Sequence, residues 1–375
     1  MNTLIVAPLP PPMSGNSLPV KVLCDELGAG NGLRVVNLNK KQHGSGRFSF
    51  GRVAQIAGIC GRVWRQQKKY DIVYLTIAES FLGNIRDLLI YSICRMRLQT
   101  VVIHMFGGAG MNVLIGKGGG FRFRMNRFYL SRMGGIVVEG KTQAEMFSKV
   151  ASPEKIHIVH NFAEEHLFVT EADIAANFRG REPLRILFLS NMLYGKGHFE
   201  LLDAYLGLTE EFKAAITIDF AGKLVTEGDE RLFLSKLEGE KNLRYHGPVS
   251  GDKKRELYRN AHVFCLPTYY PYEGQPFCIL EAYAAGCAVI TTNHSGIRDV
   301  FTHGVNGFEV EKRSVESLAA RLRQVCHERE ALQAIAAANL RMATERFSRK
   351  RYLDSMKSIL NDLLPKGMPP ESRPL

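Results

Sequence analysis

One stretch, Pro267–Gly286, reading PTYYPYEGQPFCILEAYAAG, constrains this chain more than any other. The apolar run His262–Leu266 leads into it and reads as a buried strand. Tyr272-Glu273-Gly274 makes a sharp exit, and Pro276 suits a first helical position, where a missing N–H costs nothing. Phe277–Ala285 then follows a helical pattern, with Gly286 as its stop. This strand–loop–helix order sets Glu273 on the loop and Glu281 in the helix, seven residues intervening. Both can face the carboxyl end of a parallel sheet, where open α/β sheets bind ligands. The N–H groups near Phe277 and Cys278, at the helix start, suit an anion. Anion-binding amides between two carboxylates fit a ligand with phosphates and several hydroxyls, such as a nucleotide sugar. Two glutamates at this spacing would by themselves also describe a surface loop and a helix face; the surrounding string carries the reading.

Length allows two domains, since 375 residues can bury two cores. No apolar run reaches the roughly 20 residues of a membrane span; Leu88–His104 comes nearest and is broken by Arg95 and Arg97. The start, MNTLIVAPLPPP, lacks the basic region and long apolar core of a signal peptide. Seven cysteines, at 24, 60, 94, 265, 278, 287 and 326, form no CxxC pair. They read as small buried hydrophobes of a cytoplasmic, reducing environment rather than a zinc site. The net charge of +12 asks for an anionic partner. No nucleic-acid module is present, so nucleic acid is not expected; a phosphorylated substrate and an anionic membrane surface remain. Basic residues cluster at Arg62–Lys69, Arg95–Arg97 and Arg122–Arg132. The segment FRFRMNRFYLSRM, with four arginines among apolar residues, fits an interfacial helix on acidic lipid and equally a half-buried core helix with a basic face.

The string EGQPFCILE followed by AYAAGCAVITTNHSG resembles the retaining glycosyltransferases of family 4. That resemblance implies the α/β GT-B fold, two Rossmann-like doubly wound domains facing a central cleft. It implies that Glu281 holds the donor ribose, and that Glu273 and the backbone after it, Gly274, Gln275, Pro276, Phe277 and Cys278, hold the donor sugar and its phosphates. Further matches are weaker. Gly15, in the loop LPPPMSGNS after the first strand, matches a glycine that contacts the donor diphosphate, though a plain Pro/Gly turn reads the same way. His104 ends the strand Thr100–His104 at the expected crevice edge; the family has a histidine near this point that contacts the donor sugar close to the reacting centre, so the resemblance makes His104, with Glu273, a catalytic candidate, whereas a lone histidine is as often structural. The segment NMLYGKGHFELLDAY resembles the family's second signature and sets Lys196 over the diphosphate as a point charge. Asn191 stands where many members carry an arginine, which removes one cation from that clamp. The glycine-rich stretch Gly107–Gly120 reads as a mobile loop that closes over the acceptor, or as an ordinary connector.

Strand and helix patterns alternate throughout, and the resemblance is strong only over residues 184–310. Four regions are expected. They are an acceptor-binding domain over 1–165, a nucleotide-sugar domain over 183–346, a helix over 347–364 crossing back to the first domain, and a disordered tail over 365–375, with a polar linker near 162–183. One competing motif is GIVVEGKT, Gly135–Thr142, which satisfies the P-loop pattern. Its spacer Ile136-Val137-Val138 is itself strand-like, and a phosphate loop must follow a strand rather than contain one.

No D-x-D pair is present to hold a metal on a diphosphate. The expected reaction is therefore a metal-independent, cofactor-free hexosyl transfer with retention. It runs from a UDP- or GDP-sugar to a glycan or lipid-linked acceptor in surface polysaccharide biosynthesis, in the cytoplasm or on the inner membrane face. The alternatives are a P-loop NTPase acting through Gly135–Thr142 and a non-catalytic nucleotide-sugar-binding protein.

Overall fold

The computed structural model describes residues 1–11, 15–29, 32–39, 50–107, 109–115, 118–180 and 183–364. The chain divides into two compact units. The first holds Met1–His160 and the chain from Tyr352 onward; the second is Asn161–Arg351.

In the first unit the strands are β1 (Thr3–Ala7), β2 (Leu33–Asn37), β3 (Ile72–Thr76), β4 (Val101–Met105), β5 (Gly135–Val138) and β6 (Ile156–Ile158). All pair in parallel, in the order β2-β1-β3-β4-β5-β6. The helices between them are α1 (Ser17–Gly28), α2 (Phe50–Gln66), α3 (Phe81–Ile93), α4 (Ala109–Ile115), α5 (Phe121–Leu130) and α6 (Lys141–Phe147). β1, β3, β4 and β5 are buried along their whole length. This is why they read as unbroken apolar runs: helices cover both faces of a parallel sheet. Leu4, Val73, Ile103 and Ile136 point to a core shared with Ile59 and Val63 of α2 and Ile90 of α3. His104 and Tyr74 lie on the opposite face.

In the second unit the strands are β7 (Leu184–Leu189), β8 (Ile216–Ala221), β9 (Leu243–Tyr245), β10 (Val263–Leu266), β11 (Ala288–Thr292) and β12 (Gly307–Val310). They form a parallel sheet in the order β12-β11-β10-β7-β8-β9. Strand order reverses between β10 and β7, so the loops leaving these two strands lie side by side at a topological switch point. The helices are α7 (Glu171–Phe178), α8 (His198–Leu206), α9 (Glu210–Ala215), α10 (Glu227–Leu237), α11 (Gly251–Asn260), α12 (Phe277–Ala284), α13 (Val315–Val325) and α14 (Arg329–Arg346). A last helix, α15 (Arg349–Asp362), joins the first unit from Tyr352 on. There the Tyr352 hydroxyl donates to the Pro19 carbonyl at 3.4 Å, and Lys357 pairs with Glu26.

Several expectations need correction. The segment read as a linker, 162–183, contains α7, capped by Thr170, whose hydroxyl accepts from Asp173 N while the Asp173 carboxylate accepts from Thr170 N. Its Ile174 and Phe178 are in the second unit's core. The polar composition marked the helix's outer face and hid the inner one. The glycine-rich stretch 107–120 contains α4, with Met111 and Ile115 buried. For Arg122–Arg132, α5 shows both sides of the reading: Asn126, Tyr129 and Leu130 are buried, while Phe121 and Phe128 stand exposed. In GIVVEGKT, β5 occupies Gly135–Val138 and α6 begins at Lys141, so the spacer is the strand. The tail 365–375 and parts of the first-strand and glycine-rich loops fall outside the described residues. Among the described residues no helix is long and apolar enough to cross a membrane.

Candidate active site

The site grows from the two loops at the switch point of the second unit. After β7 the chain turns through Gly195 and Gly197, both with left-handed backbone, φ +92° and +86°. A Cβ on Gly197 would come within 2.5 Å of the Pro267 carbonyl oxygen, so only glycine lets this loop press against the exit of β10. The contact is fixed by Tyr269 N, which donates to Gly195 O at 2.7 Å. Lys196 is thereby held over the other loop.

Lys196 Nζ donates to both oxygens of Glu273, at 2.9 and 2.7 Å. Both side chains are nearly enclosed, Lys196 9% and Glu273 6% exposed. The Thr268 hydroxyl, fully buried, donates to Glu273 Oε2 at 2.9 Å; the Gly195 carbonyl, at 3.2 Å, is its poorer acceptor. The Lys196 ammonium also lies 5.1 Å from the Tyr270 ring centroid. The sequence proposed Lys196 and Glu273 as separate donor contacts. The structure brings them together as a buried ion pair, 77 residues apart in the chain.

A third loop props this arrangement. Ser295 Oγ donates to Glu273 O at 2.5 Å, and a Cβ on Gly296 would meet Gly274 O at 2.7 Å. His294 Nε2 lies 2.7 Å from Tyr270 O. The turn after β11 thus holds the backbone at Glu273-Gly274 from behind. Thr268, Ser295 and Gly296 were not singled out from the sequence, because each acts through a partner remote in the chain.

Pro276 precedes α12 as its cap residue, with φ −67° and ψ 121°, rather than opening it as the first helical residue. Helix α12 therefore starts at Phe277 and stops at Gly286, whose φ is +69°. Gln275 is committed to Asn161: its Oε1 accepts from Asn161 N at 2.7 Å and its carbonyl from Asn161 Nδ2 at 3.0 Å. The Phe277 ring stands edge-on to Phe162, centroids 5.7 Å apart. Cys278 is half-buried in the first turn.

Glu281 is buried on the α11 side of the helix. Its Oε1 accepts from Lys254 Nζ at 2.6 Å and its Oε2 from Tyr258 OH at 3.0 Å. Lys254 also reaches Glu164 at 3.1 Å. Burial acts to lower the Lys254 pKa, but the two carboxylates outweigh it and leave the amine above its ordinary value. Burial, reinforced by Glu281, holds the Tyr258 phenol well above its ordinary value, so it stays a donor. Two donors occupy two of the roughly four lone-pair directions of the carboxylate. Asn191 is exposed at the start of the Lys196 loop, its carbonyl accepting from Leu193 N at 2.8 Å.

Gly15 and His104 belong to the first unit. Gly15 is exposed in the turn before α1. His104 is not at an open edge: it is the fourth residue of β4 and fully buried. Its Nδ1 lies 2.7 Å from Tyr74 OH, its ring centroid is 3.9 Å from that of Phe106, and its Nε2 has no hydrogen-bond partner. Burial pushes its pKa down to about 3, so the ring is neutral at physiological pH. Among the described residues no three His, Cys, Asp or Glu side chains gather as a metal site.

Three comparisons bear on this geometry. Residues 169–342 match the model of the family glycosyl transferases group 1. An uncharacterised glycosyltransferase of Methanocaldococcus jannaschii is 34% identical over 198 residues, 49% of this chain and 48% of its own. The amylovoran biosynthesis glycosyltransferase AmsK of Erwinia amylovora is 24% identical, over 54% of this chain and 50% of its own. The chain thus spans about half the length of the curated relatives it matches. Among solved structures, HepE of Anabaena, in complex with UDP and glucose, superposes with a TM-score of 0.70 at 15% identity, covering 96% of this chain and 100% of its own. At that identity the likeness is one of fold, and the fold is α/β GT-B: two parallel six-stranded sheets flanked by helices.

Proposed function

We propose that this chain is a retaining glycosyltransferase of family 4. It would move a hexosyl unit from a UDP- or GDP-sugar to a glycan or lipid-linked glycan acceptor in surface polysaccharide biosynthesis. The observation that carries the reading is the buried Lys196–Glu273 pair at the switch point, beside the start of α12. A buried ammonium whose side-chain hydrogen bonds, among the described residues, all go to one carboxylate is poised for exchange: an incoming diphosphate can take the lysine and free Glu273 for sugar hydroxyls. Lys196 and the first amides of α12 would then carry the charge that grows on the departing diphosphate. The C1–O bond loosens towards an oxocarbenium-like state, and the acceptor hydroxyl attacks from the face the diphosphate leaves, passing its proton to the departing diphosphate oxygen, so configuration is retained. Glu281, with lone pairs still open, is the candidate ribose ligand; Asn191, Gly274, Gln275, Pro276, Phe277 and Cys278 are the remaining donor-loop candidates. His104 and Gly15 stay candidates by resemblance alone. No metal step is needed on this reading, because lysine and amides supply the neutralising charge. The location that fits is the cytoplasm, with contact to the inner face of the membrane.

Thermal unfolding with UDP, GDP, CDP and ATP, with and without magnesium, tests this. A ligand at about 100 times its dissociation constant stabilises by roughly 2.7 kcal/mol. Stabilisation by UDP or GDP in EDTA is the expected result and names the base. A shift with ATP and magnesium alone would move the site to Gly140-Lys141-Thr142. Donor binding without turnover on any acceptor or on water would leave a non-catalytic binder.

A further inference from the structure

The excess positive charge sits in one half of the sequence. Residues 1–160 hold 21 Lys and Arg against 8 Asp and Glu, while the remainder is close to neutral. No acidic residue occurs from Leu27 to Tyr70 or from Leu88 to Val138. These two stretches contain α2, the end of α3, the short 3-10 stretch Arg95–Thr100 and α5.

Between α2 and α3 runs a groove of about 1050 Å³, continued by a second of about 670 Å³ that shares Val53, Ile56 and Leu89 with it. Its walls are mostly apolar, and apolar side chains stand out at its mouth: Trp64 is 66% exposed and Met96 89%. Leu89, Ile85 and Phe81 continue the exposed line along α3. Beyond Phe81 the line meets α5, where the Arg122 guanidinium lies 3.8 Å from the Phe81 ring centroid and Phe121 is exposed. Lys68 and Arg95 flank the mouth, both exposed and without an ion pair among the described residues. The nearby carboxylates are already committed. Asp71 accepts from Asn2 N at 2.8 Å, and buried Asp87 is held by Arg86 at 2.6 Å and by Ala78 N at 2.8 Å. An apolar ridge framed by cations that make no ion pair among the described residues is complementary to a surface that is anionic outside and apolar beneath.

We propose that the α2–α3 groove of the first unit, with Trp64 and Met96 at its mouth, is the docking surface for an anionic phospholipid bilayer. The cations meet lipid phosphates, and Trp64, Met96 and Leu89 enter the boundary between headgroups and acyl chains. A nucleic acid would use the cations and could stack on Trp64, but Met96, Leu89 and Ile85 give it no stacking platform, whereas acyl chains take up aromatic and aliphatic side chains alike. The inference extends the membrane-side location proposed above, yet it does not need the transfer chemistry.

Trp64 is the chain's single tryptophan, so its emission reports on this surface alone. The full chain is mixed with vesicles of phosphatidylcholine alone and with phosphatidylglycerol as a minor component. Docking is expected to shift the emission to the blue, and brominated acyl chains are expected to quench it, on the anionic vesicles only. The variant Lys68→Glu/Arg95→Glu, with Trp64 kept, is expected to bind at least about tenfold more weakly, from about 1 kcal/mol per lost cation. An unmoved, unquenched Trp64 on vesicles that pellet the protein would overturn the proposal, as would equal binding by the charge-reversed variant. Binding to single-stranded RNA but not to vesicles would also overturn it. If the variant fails to fold by circular dichroism, the wild-type quenching result still decides. Vesicle docking with binding of neither UDP nor GDP would sink the transferase reading and leave this one standing; binding of either nucleotide without docking would sink this one alone.

Discussion

At the scale of single residues, the feature that most distinguishes the site is that its cation and its anion neutralise each other. Moving Lys196 and Glu273 out of water costs several kcal/mol per ion, offset only while they stay paired. Lys196→Ala would strand a carboxylate that is 6% exposed, and about 3 kcal/mol of stability should be lost in chemical denaturation. The double variant Lys196→Met/Glu273→Gln should lose clearly less than the two single changes summed, since the two side chains share one interaction. Thr268 acts through Glu273: its hydroxyl fixes one oxygen of a carboxylate whose other side-chain partner is Lys196. Thr268→Val should cost roughly 1–3 kcal/mol and should lower kcat more than it raises KM; an unchanged kcat would remove Thr268 from the positioning shell. None of this pairing could be read from the sequence. The residue types were visible in their loops, but the partners lie 77 positions apart and no local pattern encodes their contact.

At the scale of elements, legibility followed burial. The long apolar strands declared themselves because both faces of each are covered. The string from Pro267 to Gly286 was legible because β10, its loop and α12 are contiguous in the chain and each carries its own signal: an apolar run, a proline, a stop glycine. Helix α4 was hidden by the glycines around it, and α7 by the acidic first turn that caps it. The reading of Glu281 changed most. It is anchored to α11 through Lys254 and Tyr258, so α12 is locked to α11 at its middle. Glu281→Gln should keep most of these contacts and the fold, yet weaken UDP binding by roughly tenfold, because a neutral amide is a weaker acceptor for ribose hydroxyls. Unchanged UDP affinity would make Glu281 a purely structural link between the two helices.

At the scale of the whole molecule, each unit carries histidines that are buried neutral. Burial lowers His104 to about 3, and His198 and His262 to about 4. At His262 burial outweighs the Nε2 bond to Asn177 O at 2.9 Å, which favours the charged ring, and Nδ1 accepts from Arg185 N at 3.0 Å, which requires the neutral one. Below the ordinary histidine pKa of about 6.5 the unfolded chain takes up protons that the folded chain refuses. Stability should therefore fall as pH drops from about 6.5 to about 4, by up to roughly 1.4 kcal/mol per pH unit for each such histidine. His262→Gln should flatten that limb in a denaturation series, and an unaltered slope would refute the assignment. The most direct test of the central claim, that Lys196 exchanges Glu273 for a donor diphosphate, is a calorimetric titration of UDP in EDTA against the wild type and Lys196→Ala. The expected result is metal-free binding by the wild type, weakened roughly tenfold to hundredfold in the variant through loss of a charged hydrogen bond. Equal affinity in the two proteins, or binding that requires magnesium, would contradict it.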